Sequence, residues 1–397
     1  MDTDIEWLFD EVYKHQLENP KEKLYFLSDW DCEVESQHDF DHLLSDVYLN
    51  SASKSFQYSF AYEQFDIKSQ VLEFCERLYK LTIPESSLTI TPSATQAIHL
   101  TFLALKKLYV NRFLVFTPAY FSTFETLKQN NSSIYYYHLK DSSRFLIDYD
   151  KLERIIKEQF IECIVITDPV FSAGLEFSET DYKRLASIAQ RFNIYLFIDY
   201  CLGGLRWEID KLFVLNHLKL KELISTGKFV FIDSLSKRLQ LNGIKFSLVF
   251  ASKDVIDIVD TISESIYGGL NSIQAEVIRK LYKYENNQII LEMHKTQLDK
   301  INSNYNLIKT MLKGEEFSLV ESNSGFFTII HSKNFTFNDI DTKKMICKLL
   351  KEEKIIAIPN NRFSYYSDNK FGWRINLTKN QPELLIALRK SIRKIFS

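Results

Sequence analysis

One lysine occupies a position where a side-chain amine can do chemistry. Lys237 lies within residues 231–245, where an apolar run ends in a turn of small residues, Ser-Leu-Ser-Lys. An amine forms an imine only when it is unprotonated, and burial at a strand end lowers the pKa of a lysine because it disfavours the ammonium. In a chain with 49 lysines and arginines, a solvated loop lysine is the plain alternative. The motifs upstream and downstream therefore decide whether Lys237 is a Schiff-base lysine.

A carboxylate follows a second apolar run. Asp199 ends the stretch Ile-Tyr-Leu-Phe-Ile-Asp at residues 194–199. At the carboxyl end of a central parallel strand, such a side chain points into the crevice where α/β proteins bind ligands. It needs a cationic partner to keep its charge when buried, and a helix N-cap or surface aspartate is the alternative. Two residues later, Cys201 is either a reactive thiol or a buried thiol without a role.

Near other strand ends, the sequence predicts a site for an anion and an aromatic side chain that could stack on a flat ring. Ser93, Ala94 and Thr95 lie between a short strand and the first turn of a helix. Unpaired N–H groups and the helix dipole favour an anion such as phosphate there, although a serine before a helix is also a common N-cap. Tyr120 follows another strand end, where it could stack on a ring or belong to the core.

The elements that position these residues alternate between strands and helices. Helices are indicated by apolar residues at i, i+3, i+4 and i+7, and buried strands by short apolar runs. The predicted strands are residues 87–91, 112–117, 133–138, 163–167, 195–199, 228–234 and 246–251, and the predicted helices are 94–110, 120–129, 149–160 and 179–192. Such strands between amphipathic helices require a sheet covered on both faces. We therefore predict an α/β fold whose large domain has a mostly parallel seven-stranded sheet covered by helices.

The pattern changes after about residue 255, and a smaller α+β domain is predicted there. The predicted helices are 255–266, 272 to about 312, 342–352 and one from 381, and the predicted strands are 317–321, 325–330, 355–358 and 373–377. The expected domain limits are an N-terminal arm and part of the small domain at 1–45, the large domain at 46–270, and the small C-terminal domain at 271–397.

Composition excludes several classes of protein. The net charge is −3 and the basic residues are dispersed, which argues against nucleic acid or an anionic membrane as a partner. Five cysteines without CxxC spacing argue against a disulfide framework or a metal site, and for reduced thiols in a cytoplasmic protein. The sequence shows no signal peptide and no apolar run long enough for a transmembrane helix. Among the remaining classes, the composition favours a protein that acts on small molecules.

These motifs, taken in order, resemble the aminotransferase class I/II family of pyridoxal-phosphate enzymes, typified by aspartate and aromatic aminotransferases. The resemblance covers roughly residues 55 to 378 and rests on residues 91–98, 117–120, 167–177 with the strand that ends at Asp199, and 234–245. It implies an aspartate aminotransferase-like fold with pyridoxal 5'-phosphate as the cofactor. It also implies an amino acid and a 2-oxo acid as substrates, and a homodimer with shared active sites.

The resemblance implies a role for each matching residue. Lys237 matches the lysine that holds the cofactor as a Schiff base and moves the proton at the substrate α-carbon. Asp199 matches the carboxylate that keeps the pyridine nitrogen protonated, and Tyr120 matches the aromatic residue that stacks on the pyridine. The implied phosphate contacts are Ser93, Ala94, Thr95, Ser234, Lys245 and, from the neighbouring subunit, Tyr62. Lys245 replaces an arginine, which keeps the charge but loses the bidentate fork.

Two further residues are implied near the substrate. Arg374 aligns with the arginine that pairs with the substrate α-carboxylate, since a planar guanidinium presents two parallel N–H groups; an ion-paired strand arginine is the alternative. Residues 27–32 lack the glycine that the family commonly has near the substrate, and we expect Trp30 to narrow or reshape the pocket. The turn at residues 267–271 aligns with a segment that serves the neighbouring subunit.

Two departures from the family concern the phenolic oxygen of the cofactor. Phe171 stands where an asparagine usually contacts this oxygen, and Leu202 stands where a tyrosine usually does. Fewer donors stabilise the phenolate anion less. Tyr200 and Ser172 are the nearby side chains that could substitute.

Three functions follow from the sequence. The leading hypothesis is an aminotransferase, and the alternative is other pyridoxal-phosphate chemistry on an amino acid, such as a β-elimination lyase or an oxidase or hydroxylase. A non-catalytic descendant of the fold is the third, and retention of both Lys237 and Asp199 argues against it.

Overall fold

The computed structural model describes residues 6–33, 38–52, 65–79, 81–140, 144–207, 214–338, 340–359 and 370–395 of the 397-residue chain. Tyr62, one of the predicted site residues, lies outside the described residues. The strands are β1 (Tyr25–Phe26), β2 (Leu88–Thr91), β3 (Arg112–Thr117), β4 (Ser133–His138), β5 (Cys163–Thr167), β6 (Tyr195–Asp199), β7 (Phe229–Asp233), β8 (Ser247–Ala251), β9 (Phe317–Leu319), β10 (Phe327–Thr336), β11 (Ile355–Ile356) and β12 (Lys370–Asn376). The α-helices are Glu6–Glu18, His38–Ala52, Phe65–Tyr79, Ala94–Lys107, Phe121–Gln129, Tyr149–Gln159, Glu179–Phe192, Val214–Ile224, Leu235–Arg238, Lys253–Ile266, Ser272–Leu281, Asn287–Met311, Thr342–Lys348 and Gln381–Ile395.

The large sheet has seven strands in the order β2-β8-β7-β6-β5-β3-β4. The neighbours from β4 to β7 are parallel, whereas β8 pairs antiparallel with both β7 and β2. Every residue of β5, β6 and β7 is buried, because helices cover both faces of the sheet. The predicted α/β fold with a mostly parallel seven-stranded sheet is confirmed.

The direction of these strands explains why residues distant in sequence meet. Parallel strands place their carboxyl ends at one edge of a sheet. The strand ends at this edge are Thr91, Thr117, His138, Thr167, Asp199 and Asp233. Because β8 runs the opposite way, it begins at the same edge, and the residues just before Ser247 reach it too. The segments predicted to carry the site all adjoin these positions.

A smaller α+β part packs around a core of its own. It contains the antiparallel sheet β12-β10-β9 and the parallel pair β1-β11. Its core joins residues from both ends of the chain, among them Leu8, Leu27, Phe317, Trp373 and Leu388. The N-terminal segment is therefore built into the same core as the C-terminal strands.

The larger core draws on chain from both sides of the predicted domain limits. Phe40 and Leu43, which precede residue 46, are buried in it, and so are Val277 and Ile278, which follow residue 270. The limits at 45/46 and 270/271 stay a prediction.

The predicted continuous helix from 272 to about 312 is wrong. The first helix ends at Leu281, a 3-10 turn covers Tyr284–Asn286, and Asn287–Met311 forms a second helix. At the break, Asn286 Nδ2 donates a hydrogen bond to the carbonyl oxygen of Lys280 at 2.8 Å. Residues 272–312 contain no glycine or proline, so the sequence offers no stop signal there. The helices that the pattern did not predict are Glu6–Glu18, His38–Ala52, Phe65–Tyr79, Val214–Ile224 and the one-turn helix Leu235–Arg238.

Candidate active site

A cavity of about 490 Å³ opens at the carboxyl edge of the large sheet. The sequence-predicted residues that line it are Trp30, Ser93, Ala94, Thr95, Tyr120, Asp199, Ser234, Lys237 and Lys245. Arg374 is not part of the lining. The structure thus brings most of the predicted site residues together in one place, from segments more than 200 residues apart in sequence.

Lys237 lies in the one-turn helix Leu235–Arg238, directly after β7. Its Nζ donates a hydrogen bond to Asn242 Oδ1 at 2.6 Å and lies 5.2 Å from the centroid of the Trp30 ring. Burial lowers the pKa of the Lys237 ammonium, and the nearby charge of Lys245 acts in the same direction. The amine is therefore easier to deprotonate than that of an exposed lysine, as imine formation requires.

Asp199 ends β6 and is 5% exposed. Its Oδ1 accepts a hydrogen bond from the Cys201 backbone N–H at 3.2 Å, and no cation in the described ranges forms an ion pair with it. Burial raises the pKa of its carboxyl. Thr167, its register partner on β5, also lines the cavity, and the buried Thr167 Oγ1 has no hydrogen-bond partner within the described part of the chain. A ligand with a positive charge and a hydrogen-bonding group would supply the partners that Asp199 and Thr167 lack in the described chain.

Another part of the lining suits an anion. Ser93 is the N-cap of the helix Ala94–Lys107, and its Oγ accepts a hydrogen bond from Gln96 N at 3.2 Å. The helix N-terminus therefore lies at the cavity, together with the Ser234 hydroxyl and the exposed Lys245. Ser234 Oγ donates to the carbonyl oxygen of Phe246 at 2.8 Å. A helix N-terminus beside an ammonium favours a phosphate group.

Aromatic rings form one wall of the cavity. The ring centroids of Trp30 and Tyr120 are 5.8 Å apart, those of Tyr120 and Phe171 are 5.7 Å apart, and those of Trp30 and Phe171 are 6.2 Å apart. The Tyr120 hydroxyl lies 3.5 Å from Thr95 Oγ1 at the anion end. A flat ring with a phosphate group can therefore contact the Tyr120 ring and the helix N-terminus together.

Arg374 lies behind this wall, on β12, and is 3% exposed. Its Nε and Nη2 both donate to the carbonyl oxygen of Ser28, at 3.1 and 2.6 Å, and no carboxylate in the described ranges pairs with it. Its Cζ lies 4.9 Å from the ring centroid of Trp30, 4.1 Å from that of Phe327 and 5.9 Å from that of Phe171. Burial lowers the pKa of its guanidinium to about 9, so it stays cationic at neutral pH. The ion-paired strand arginine considered from sequence is not what these residues form.

The side chains at the two family departures do line the cavity. Phe171 and Leu202 are both on its surface. Neither suggested substitute is: Tyr200 is fully buried with its hydroxyl bonded to Glu176 Oε1, and Ser172 is 4% exposed in a left-handed backbone conformation with φ of 61°. As they are placed, neither hydroxyl is part of the cavity lining.

A buried ionic cluster supports the loop that carries Phe171. Lys219 Nζ donates to Asp168 Oδ2 at 2.7 Å and to Glu176 Oε1 at 2.6 Å, and the Tyr182 hydroxyl donates to Asp168 Oδ2 at 2.7 Å. Burial raises the pKa of Asp168 to about 6, against the opposing effect of the Lys219 charge. The cluster ties both ends of the loop 168–176 to one ammonium.

Sequence reasoning missed several polar groups of the site. Asn242, which holds the Lys237 amine, was marked only by an Asn-Gly pair five residues after the lysine. Thr167 stood at a predicted strand end as Asp199 did, so the same rule could have found it. Lys219 carried no such signal, because its helix was not predicted. No group of metal-binding side chains occurs among the described residues, and none of the helices described here has the length and apolar character needed to cross a membrane.

Comparison with known proteins supports the resemblance noted from the motifs. A model of the aminotransferase class I and II family matches residues 47–390. An aspartate aminotransferase of Pyrococcus horikoshii is 22% identical over 82% of this chain and 79% of its own length. An uncharacterized aminotransferase of Saccharolobus solfataricus is 23% identical over 87% of this chain and 84% of its own length. A solved double mutant of Thermus thermophilus aspartate aminotransferase has the same fold, with a TM-score of 0.81 at 16% identity over 97% of this chain and 96% of that one. The chain belongs to the aminotransferase class I and II family.

Proposed function

We propose that the protein is a pyridoxal-phosphate-dependent aminotransferase that transfers an amino group between an amino acid and a 2-oxo acid, with Lys237 as the attachment point of the cofactor. Members of the family use pyridoxal phosphate. The observation that carries the proposal is the pairing of Lys237 and Asp199 in one cavity. One is an amine whose pKa burial lowers, and the other is a buried carboxylate without a cationic partner in the described chain.

The residues present fit this cofactor. The ring nitrogen, when protonated, would supply the cation that the buried Asp199 carboxylate lacks. Tyr120 would cover a face of the ring, and the helix N-terminus at Ser93 with Lys245 would hold the phosphate. When bound, pyridoxal phosphate supplies an aldehyde that condenses with amines and a protonated ring that withdraws electrons from the bonds at the substrate carbon.

The chain's own groups would handle the proton and the substrate. The Lys237 amine would hold the cofactor covalently and would take up and return the proton at the substrate α-carbon. Asn242 orients the Lys237 Nζ through its 2.6 Å hydrogen bond. The Arg374 guanidinium, which has no carboxylate partner in the described ranges, binds the substrate α-carboxylate.

A second candidate, other pyridoxal-phosphate chemistry such as β-elimination or oxidation of an amino acid, is favoured by one observation. Phe171 and Leu202 give the cavity two apolar surfaces where the family usually has hydrogen-bond donors. The two functions differ in what happens to nitrogen. An aminotransferase passes it to a 2-oxo acid in a stoichiometric ratio, whereas a lyase or an oxidase releases ammonia. An amino-donor screen that measures both products decides between them.

The attachment point is tested by Lys237→Ala. The purified protein is treated with borohydride in the presence of pyridoxal phosphate, and the modified peptide is mapped by mass spectrometry. We expect one reduced adduct on Lys237 in the native protein and in the control Lys253→Ala, whose lysine is exposed, and no adduct at this site in a folded Lys237→Ala protein. An adduct at the native level in Lys237→Ala would overturn the assignment.

A further inference from the structure

The indole of Trp30 lies in contact with both cations of the candidate site. Lys237 Nζ is 5.2 Å and Arg374 Cζ is 4.9 Å from the centroid of the same ring. One indole ring therefore lies near both the ammonium and the guanidinium.

The same indole separates Arg374 from the cavity. Trp30 and Phe171 are part of the cavity lining, whereas Arg374 and Phe327 are not. The rings of Trp30, Phe171 and Phe327 lie close to the guanidinium, which also donates hydrogen bonds to Ser28. A substrate carboxylate that enters the cavity therefore meets the Trp30 ring before it can reach Arg374.

The backbone around Trp30 is held in place, so the side chain is the part that can move. The Trp30 carbonyl oxygen accepts a hydrogen bond from Asn242 Nδ2 at 2.8 Å. The carbonyl oxygens of Asp29 and Asp31 accept from Asn376 Nδ2, at 3.1 and 2.9 Å. Three consecutive carbonyl groups are thus fixed, whereas the indole is held by ring and cation contacts and is only partly buried.

We propose that the Trp30 indole is a gate on Arg374 and a specificity-determining residue: a substrate carboxylate contacts Arg374 only after the indole has left its resting position. The proposal rests on the function proposed for Arg374. A carboxylate must displace the ring to bind, so its apparent affinity is reduced by the fraction of molecules with an open gate. Substrates with a side chain that packs on the displaced ring or on Phe171 bind more tightly, and small carboxylates bind more weakly.

The first test measures access to Arg374. Phenylglyoxal modifies exposed arginines, and mass spectrometry of the pyridoxal-phosphate-loaded protein gives the rate at each site, with the exposed Arg144 as the internal reference. We expect slow modification of Arg374 in the native protein and in the matched control Trp7→Ala, and at least a tenfold faster rate in Trp30→Ala. The modification rate of Arg374 in Trp30→Phe, which keeps a ring, should be intermediate. This variant is used in place of Trp30→Ala if Trp30→Ala does not fold. Equal rates in the native and Trp30 variants would overturn the gate.

The second test measures carboxylate binding by calorimetry with propionate, a small carboxylate without an amino group or a ring, and with the neutral propanamide. We expect Trp30→Ala to bind the carboxylate roughly tenfold more tightly than the native protein, to bind the amide no more tightly, and to have its Arg374 protected from phenylglyoxal by the carboxylate. A carboxylate that binds the native protein as tightly as Trp30→Ala would overturn the gate. Faster labelling of Arg374 in Trp30→Ala without protection would overturn the carboxylate role of Arg374, and with it the gate. The attachment of the cofactor to Lys237 would remain separately testable by reduction.

Discussion

Replacement of Lys219 by methionine should destabilise the protein strongly, because among the described residues it leaves the buried Asp168 carboxyl group without a cation and leaves Glu176 paired with Arg206 alone. Lys219 is 1% exposed, and its ammonium lies 2.7 Å from Asp168 and 2.6 Å from Glu176. Methionine has a similar length but no charge, so packing is nearly kept while both ion pairs are lost. Removal of one partner from a buried ion pair typically costs about 3–5 kcal/mol in the free energy of unfolding. We expect Lys219→Met to lose about that much.

The assay is urea denaturation followed by circular dichroism, with Lys253→Met as the matched control. Lys253 forms an exposed ion pair with Asp257, so its replacement should cost less than about 1 kcal/mol. Without Lys219, the buried Asp168 carboxyl group, whose pKa burial already raises to about 6, should bind its proton still more tightly in the folded than in the unfolded chain. The free energy of unfolding of the variant should therefore fall as pH rises above the unfolded pKa of about 4. The loss relative to the native protein should be larger at pH 8 than at pH 5. A loss below about 1 kcal/mol at pH 8, or a loss that shrinks as pH rises, would refute the reasoning.

Three other predictions concern the site and the assembly. In the loaded protein, Phe171→Asn should lower the pKa of the cofactor-bound lysine nitrogen by restoring a donor to the phenolic oxygen, and an unchanged or raised pKa in a spectrophotometric titration contradicts this. Because burial lowers the pKa of Lys237, competitive acetylation of the cofactor-free protein should show its amine becoming reactive at a lower pH than the amine of a free lysine; reactivity only at a higher pH would count against an available amine. We propose that the protein is a homodimer with shared active sites, to which Tyr62 and the turn at 267–271 contribute by family resemblance. A fully active monomer by light scattering at assay concentration would exclude it.

The strands that position the site could be predicted from the sequence. The predicted bounds 112–117, 133–138, 163–167 and 195–199 coincide with β3, β4, β5 and β6. β3, β5 and β6 are short apolar runs between helices, and a run that is buried on both faces has few other ways to fold. β4 lies at the edge of the sheet and is only partly buried. Since parallel strands end at one edge, residues at their ends were expected to be neighbours. Asp199 and Lys237 were identified by that rule.

Contacts between side chains could not be predicted in the same way. Arg374 donates to the carbonyl oxygen of Ser28, 346 residues away in sequence, and no periodic pattern records such a contact. Lys219 meets Asp168 across 51 residues, from a helix that the apolar pattern did not reveal. The sequence indicated which types of residue stood near the site, but their packing depends on the whole fold.

The departures at Phe171 and Trp30 are connected in space. Their rings lie 6.2 Å apart, and both contact the Arg374 guanidinium. A small residue at either position would remove one of the rings that cover this cation and would open it to water. The loop that presents Phe171 is in turn held by Lys219 at both ends. Phe171, in place of the family asparagine, and Trp30 therefore both affect the Arg374 guanidinium. Restoring Asn at position 171 alone should loosen the cover of Arg374 as well as alter the cofactor environment.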